Sequence, residues 1–261
     1  MKASRSNAEA IERIVELLHK SHSILFITGA GISADSGLPT YRGIGGLYDV
    51  KTTEEGLPIE EALSGEVMLE RPELTWKYLA QIESACRSAT YNRAHEIIAL
   101  MESHFERVWT LTQNVDGLHH RAGARNIIDI HGDLHHLCCM NCSFWQAVDD
   151  YSHLSLPPRC PECHGILRPD VVLFGELLPK EKLHVLYEQL YEGFDVVFSV
   201  GTSSLFPYIA QPVLMAAQQG TPTVEINPDT TRVSHLVDVQ LPMRAAPALE
   251  AIWQKYPEKT A

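Results

Sequence analysis

Long apolar runs are missing from this chain: stretches such as "SILFI" end after a few residues, far short of the roughly 20 that a membrane helix needs. The opening "MKASRSNAEA" likewise lacks the apolar core of a secretory leader. Positive charge is scarce, with 21 Lys and Arg against 33 Asp and Glu and a net charge of −12. A surface of that sign repels phosphate backbones, so no direct nucleic-acid partner is expected. Its pull on basic, lysine-rich partners is weak and salt-dependent. Internal repeats, low-complexity tracts and linker-like runs are absent too. These absences predict a cytoplasmic protein with neither a membrane nor a nucleic acid as partner.

What is present is an ordinary globular composition, 45% hydrophobic and 21% charged. The 261 residues suffice for one large domain, or for a main domain with an insert. Ser6 and Glu9 fit a capping box ahead of Ile11, Ile14, Val15 and Leu18 at helical spacing. The short apolar runs "SILFITGAG", "RVWTLTQN", "NIIDIHG", "DVVLFG", "DVVFSVGTS" and "PTVEIN" read as buried strands. Helical patterns separate many of them, and Leu249, Ile252, Trp253 and Tyr256 share one face of a closing helix. Apolar strands alternating with helices predict an α/β fold whose parallel sheet is covered on both faces. Residues 46–89, and the Pro-, His- and Cys-rich 131–169, fit that scheme poorly and are assigned to a smaller inserted module.

Two motifs carry chemistry. "GAGISA", Gly29 to Ala34, follows a strand and fits G-x-G-x-x-G/A. In a dinucleotide fold the first glycine makes a tight turn, and the second lets the backbone approach a pyrophosphate at a helix N-terminus. A plain turn between strand and helix fits these glycines as well. Gly37 and Pro39 keep any helix that follows very short. Glu54 and Glu55 lie near the distance of a ribose-binding acid, but no strand leads to them, and neither is assigned a role.

The second motif is in the cysteines. Six of them without a secretory leader point to metal binding or chemistry rather than disulfides. Cys139-x-x-Cys142, then seventeen residues, then Cys160-x-x-Cys163 presents two thiolate pairs to one tetrahedral Zn2+. A closed four-thiolate site has no open position for water and is structural. A redox C-x-x-C is the alternative for one pair. Cys138 falls out of register, as a free neighbour or a substitute for Cys139. Cys86 reads as a helix-packing residue, and His135, His136 and His164 as polar neighbours of the knuckles.

With these motifs placed, "GAGISADSGLPTYRG", "TQNVDGLH", "IHG", the two C-x-x-C pairs, "VVLFGE", "GTS" and "EIN" stand in the order found in sirtuins. Sirtuins are the NAD-dependent protein lysine deacylases of the silent-information-regulator family. The resemblance runs from about Leu17 to Leu249. It implies a Rossmann-like parallel-sheet domain of residues 1–45, 90–130 and 170–261, which binds NAD. It also implies an inserted small domain, 46–89 and 131–169, with a helical part and the Zn2+ module. Acyl-lysine protein or peptide substrates would meet NAD in the cleft between.

By position, the resemblance puts Gly29, Ala30, Gly31 and Ser33 in the phosphate loop and Arg42 beside the cofactor. Gln113, Asn114 and Asp116 would surround the nicotinamide ribose and carboxamide, and Asn114 and Asp116 join His131 as the catalytic set. Gly201, Thr202, Ser203 and Asn227 fall to the adenosine half, with Ala245 near the adenine. His131 takes the role of general base, passing on a proton from the ribose hydroxyls. Imidazole suits that role because its ordinary pKa of about 6.5 leaves a neutral base near neutral pH. Val172, Leu173, Phe174, Gly175 and Glu176 resemble the strand on which an extended peptide pairs its backbone.

Sirtuins that remove succinyl or malonyl groups carry a Tyr-x-x-Arg pair on a small-domain helix, and the Arg pairs with the acyl carboxylate. In "RPELTWKYLAQIES" that pair falls on Leu79 and Ile82, or on Tyr78 and Gln81 after a one-residue slip. Neither alignment supplies the arginine. Burying a carboxylate against Leu and Ile is costly, so the acyl group is expected to be neutral, acetyl or longer, with Leu79 and Ile82 as pocket wall. The alternative is that both residues face the small-domain core. Tyr41 stands where many relatives have Phe near the nicotinamide. Two other functions would use the same residues: ADP-ribosyl transfer or NAD hydrolysis, and a non-catalytic NAD-sensing adaptor. Retention of His131 beside "VVLFGE" favours acyl-lysine chemistry, because simple NAD cleavage needs no peptide groove.

Overall fold

The computed structural model describes residues 6–39 and 53–256. The first helix, α1 (Asn7–Leu18), is capped as its sequence predicts: the Ser6 hydroxyl accepts from the Glu9 N–H, and the Glu9 carboxylate accepts from the Ser6 N–H. Next, β1 (Ser23–Thr28) runs into α2 (Ala30–Ser33) and a single 3-10 turn, Ala34–Ser36, which stops at Gly37. Three helices follow, α3 (Ile59–Ala62), α4 (Gly65–Glu70) and α5 (Pro72–Arg87). Then come α6 (Arg93–Met101), β2 (Arg107–Thr112), α7 (Leu118–Arg121) and β3 (Ile127–Asp129). The cysteine-bearing stretch folds as β4 (Gly132–Cys139), β5 (Trp145–Ala147) and β6 (Leu167–Val171). The chain closes with α8 (Lys180–Glu192), β7 (Val196–Val200), α9 (Pro207–Gln219), β8 (Thr223–Ile226), β9 (Val239–Leu241) and α10 (Ala245–Lys255).

Six strands form one parallel sheet in the order β3-β2-β1-β7-β8-β9. This is the doubly wound Rossmann order, with β1 and β7 at the point where the winding reverses. Loops leaving the carboxyl ends of those two strands part in opposite directions and open a crevice, where such sheets bind ligands. Side chains of β1 alternate between the faces. Ile24 and Phe26 pack with Ile14, Leu18, Ile98 and Leu249 from α1, α6 and α10. Leu25 and Ile27 pack with Leu186, Ile209 and Val213 from α8 and α9. A sheet covered on both faces needs apolar side chains at every position, and that is why its strands read as continuous apolar runs.

The second sheet is antiparallel, in the order β5-β4-β6, and shares its core with α5. Trp76, Leu79 and Ile82 pack with Leu134, Leu137 and Leu167, and the Trp76 indole N–H donates to the Leu167 carbonyl at 2.9 Å. One sequence expectation fails here. "DVVLFG" is not a strand of the parallel sheet: β6 ends at Val171, and residues 172–175 run on with a single backbone bridge, Phe174 to Ser64. The run is apolar because Val171 and Leu173 face the small-sheet core. Glu54 and Glu55 pair with Lys77 of α5, each at 2.6 Å, and take no part in a nucleotide site. Among the described residues no helix is long and apolar enough to cross a membrane.

Candidate active site

A cleft of about 940 Å³ lies between the carboxyl ends of β1 and β7 and the small-sheet core. The turn after β1 lines it with Gly29, Ala30 and Gly31, and the segment after β2 with Gln113 and Asn114. His131 enters ahead of β4, residues 172–176 follow β6, and α5 contributes Leu79 and Ile82. Gly201, Thr202 and Ser203 come from the turn after β7, Asn227 from the end of β8 and Ala245 from the start of α10. Ser33 and Asp116 sit in an adjoining recess of about 30 Å³ that shares Ala30, Asn114 and Ile82 with the cleft. Arg42 and Tyr41 lie outside the described residues. Leu79 and Ile82 are each buried in the small core, and each also lines the cleft.

The two glycine turns are made for each other. The Gly29 N–H donates to the Val200 carbonyl at 3.3 Å, and the Gly31 N–H to the Gly201 carbonyl at 2.8 Å. A Cβ on Gly31 would stand 2.7 Å from the Gly201 backbone, and Gly201 itself, at φ +59°, would push one to 2.5 Å from Gly31. The sequence motif assigns the second glycine to the approach of a pyrophosphate. In the structure its N–H is already committed, and its missing side chain makes room for the facing turn.

Ser33 organises the recess. Its hydroxyl donates to Asp116 at 2.7 Å and lies 3.1 Å from the Asn114 amide nitrogen, which also donates to the Gly29 carbonyl at 3.2 Å. Burial raises the Asp116 pKa, against hydrogen bonds from the Leu118 N–H and the Ser33 hydroxyl. The Asn114 side-chain carbonyl oxygen is buried and has no partner among the described residues. A buried acceptor left open costs stability unless a ligand satisfies it. Across the crevice, Gln113 donates to the Thr202 hydroxyl at 2.7 Å, and Asn227 to the Thr202 carbonyl at 3.1 Å. A polar cradle at the switch point, beside an unpaired buried acceptor, fits a dinucleotide.

His131 is held by both ring nitrogens. Nδ1 faces the Gln113 carbonyl at 3.0 Å. A carbonyl can only accept, so Nδ1 carries the proton and Nε2 is left with its lone pair. That lone pair accepts from the Tyr208 hydroxyl at 2.6 Å. Burial lowers the imidazole pKa to about 4, with the Gln113 carbonyl opposing the shift and the Lys182 charge adding to it. Gly132, at φ +88°, fixes the approach of the ring: a Cβ there would collide with the Asp170 carbonyl. The Val172 N–H then donates to the His131 carbonyl at 2.8 Å, tying the base to the segment beyond β6.

That segment is braced at Phe174 and leaves two backbone groups without backbone partners among the described residues. Phe174 exchanges backbone hydrogen bonds with Leu63 and Gly65, both at 3.0 Å. The Val172 carbonyl and the Gly175 N–H have no backbone partner among the described residues. Glu176 accepts from both guanidinium NH2 groups of Arg168, at 2.6 and 2.9 Å, and from the Leu173 N–H at 2.8 Å. Burial would raise its pKa, but Arg168 prevails and the carboxylate stays ionised below its usual range.

At the far end of β4 the four thiols converge. The Sγ atoms of Cys139, Cys142, Cys160 and Cys163 all lie within 4.8 Å of one another, with 3.4 Å from Cys139 to Cys163 and 3.6 Å from Cys142 to Cys160. Four sulfurs about 2.3 Å from a tetrahedral ion would stand about 3.8 Å apart, so the set fits Zn2+. Cys138 is not among them, and Cys86 is a buried α5 residue whose thiol is pushed up to about 12. His135 pairs with Asp133 at 2.7 Å, and His136 stacks on Trp145. His120, Asp129 and Asp133 make a second close group, but the Lys182 ammonium, 2.8 Å from Asp129, already supplies its cation.

Sequence reading missed Phe206, Tyr208 and Arg244, all of which line the cleft. The signal for the first two is their position a few residues after "GTS", Phe206 as the N-cap and Tyr208 in the first turn of the helix that follows the switch point.

The Sir2 family model matches residues 29–206. NAD-dependent protein deacylase 2 of Pseudomonas aeruginosa is 50% identical over 238 residues, covering 90% of this chain and 93% of that one. A mutant Sir2 homologue solved with ADP-ribose has a TM-score of 0.86 at 32% identity, over 96% of this chain and 99% of that one. A Sir2 structure with a deacetylated p53 peptide and 3′-O-acetyl-ADP-ribose has a TM-score of 0.83 at 25% identity, over 94% and 98%. Likeness on this scale takes in both sheets and the loops that meet between them, and the chain belongs to the Sir2 family.

Proposed function

We propose that this protein removes acetyl, or longer neutral acyl, groups from protein lysines in an NAD-dependent reaction that consumes one water and yields free lysine, nicotinamide and O-acyl-ADP-ribose. The observation that carries the proposal is the neutral His131 imidazole, set between a dinucleotide-type glycine turn and a segment with open backbone groups. The deacetylated peptide and acetyl-ADP-ribose in a related Sir2 structure support the same chemistry.

NAD, when bound, would supply the electrophile, the ribose carbon C1′ that loses nicotinamide and takes the acyl oxygen. The chain's own residues bind and orient. Gly29, Ala30 and Gly31 border the phosphates, with Arg42 assigned beside them. Gly201, Thr202, Ser203, Asn227 and Ala245 frame the adenosine half. With Gln113 beside them, the open Asn114 carbonyl oxygen would accept from the nicotinamide half of the cofactor, and Asp116, fixed by Ser33, would hold a polar group in the recess. Nε2 of His131 receives a proton from a ribose hydroxyl while Nδ1–H stays on the Gln113 carbonyl. The Val172 carbonyl and Gly175 N–H pair with the main chain of the peptide, and Glu176, locked by Arg168, keeps that turn in shape. Cys139, Cys142, Cys160 and Cys163 hold a structural Zn2+. Residues 46–89 and 131–169 are assigned to the small domain, whose described part carries one wall of the cleft.

The acyl end of the cleft is apolar, with Leu79 and Ile82 beside Leu134 and Leu173. Arg244 is the one arginine or lysine among the described residues that lines the cleft, and it lies on the nucleotide side, 2.8 Å from Asp35. Among the described residues an acyl carboxylate at that end would therefore find no cationic partner. The test incubates the protein with NAD and one lysine peptide bearing acetyl, butyryl, myristoyl or succinyl groups, with mass spectrometry of both products. Turnover of the neutral peptides and not of the succinyl one is expected. Preferential desuccinylation would overturn the apolar-wall reading, and NAD consumption without acyl transfer would favour the hydrolase.

A further inference from the structure

We infer that Tyr208 is a positioning residue for His131: its hydroxyl occupies Nε2 in the open site and yields that atom when a ribose hydroxyl arrives. The inference rests on the reading of His131 as the base. Tyr208 lies in the first turn of α9, with its hydroxyl 2.6 Å from Nε2. Its ring is stacked on Phe206, centroids 5.5 Å apart at 15°, and both rings meet the imidazole edge-on at 5.8 Å. A phenol wedged in this way has little torsional freedom, so its hydroxyl is aimed rather than wandering.

The chemistry follows from counting lone pairs. Neutral imidazole has one acceptor nitrogen, and the Gln113 carbonyl on Nδ1 makes that nitrogen Nε2. A ribose hydroxyl and the Tyr208 hydroxyl would both donate to it, so one must leave. After His131 has taken the proton, Nε2–H becomes a donor and the Tyr208 oxygen can accept it. The phenol keeps its own proton throughout, because burial pushes its pKa up to about 12. Tyr208 can thus face the base before and after proton transfer, as donor to the neutral ring and as acceptor from the charged one.

The other groups bearing on this ring are few. Lys182 of α8 acts through its charge, which is shared with Asp129 at 2.8 Å, and Phe206 contributes only apolar surface. Removing the phenol hydroxyl alone should therefore be visible in the titration of His131.

The experiment is imidazole nitrogen NMR on the zinc-loaded, 15N-labelled full chain, with His131→Asn used to assign the His131 signals. Wild-type His131 should be a single Nδ1–H tautomer with Nε2 as a hydrogen-bonded acceptor. Tyr208→Phe keeps the stacked ring and should move the Nε2 signal toward that of a free acceptor. It should also shift the His131 titration by about one pH unit, because a neutral and a charge-assisted hydrogen bond to the same nitrogen differ by about that much. The acid limb of the deacylation rate should move with it. Identical His131 titrations in the two proteins would overturn the inference. So would an Nε2–H tautomer in the wild type, which needs no variant and decides the matter if Tyr208→Phe does not fold. Loss of the proposed function would be separate: it would show as absent turnover in both proteins, with the nitrogen spectra still reporting the Tyr208 contact.

Discussion

Asn114, Asp116 and His131 arrive from loops that no single element controls, so each is fixed by a hydrogen bond made elsewhere. Ser33 positions the first two, and the Gln113 carbonyl sets the tautomer of the third. His131→Ala should cut acyl-peptide turnover by about 10²–10⁴-fold, the usual worth of a general base. NAD affinity should stay close to wild type, because the glycine turns and Asn114 are untouched. Steady-state deacylation beside a calorimetric NAD titration separates the two effects, and turnover near wild type would remove His131 from its assigned role. At this scale the x-x register picks Cys139 over Cys138, and the structure brings Cys139 to the other three thiols, whereas "IHG" points to His131 only through the order of motifs around it. Partners far along the chain were not legible. Tyr208 lies 77 residues beyond His131, and Gly31 needs to be glycine because Gly201 faces it. No periodicity in a sequence encodes either contact.

Elements were legible according to how they are buried. Strands covered on both faces, such as β1 and β7, show as apolar runs, whereas β4 and β5 carry His, Cys and Gln on a small sheet and give no such run. β9 has only three residues, with an exposed Gln240 in the middle. The small sheet cannot rest on apolar burial alone, which is where the knuckles matter. Cys142 follows β4 and Cys160 and Cys163 precede β6, so the ion ties the turn after one strand to the approach of another. Structural zinc sites contribute about 10 kcal/mol or more to the fold of small modules. Cys160→Ser should therefore lose zinc and loosen the sheet, while Cys138→Ser keeps both. Metal analysis gives the first readout. Emission of Trp76, whose indole N–H reaches Leu167 of β6, gives the second. A zinc-free Cys160→Ser protein with wild-type emission and activity would contradict a structural ion.

The whole molecule keeps three imidazoles neutral inside it, and this sets how the fold responds to acid. His95 of α6 and His119 of α7 meet edge to face at 4.8 Å, and His119 reaches the Thr28 hydroxyl at 3.0 Å, directly beneath the glycine turn. Burial holds His95 and His131 at about 4, and His119 well below its usual value. The sign follows from proton counts. Between pH 4 and 6.5 the unfolded chain binds protons that these buried rings refuse, so stability rises with pH through that window and levels off above it. Each such ring contributes a slope of about 1.4 kcal/mol per pH unit. Asp116, whose pKa burial raises, opposes the trend, and carboxylates held low by partners, such as Asp129 and Glu176, add their losses only at more acid pH. Urea denaturation should show a plateau near pH 7 to 8 and a steep fall below 6.5. Acid also strips thiolate-bound zinc, and His95→Gln separates the two causes: zinc loss is common to both proteins, but the variant should fall less steeply by about 1.4 kcal/mol per pH unit. Equal slopes would mean that His95 is not held neutral in the fold. A curve flat from pH 7 to 5 would deny it for all three rings, and with it the low-pH reserve of neutral base at His131.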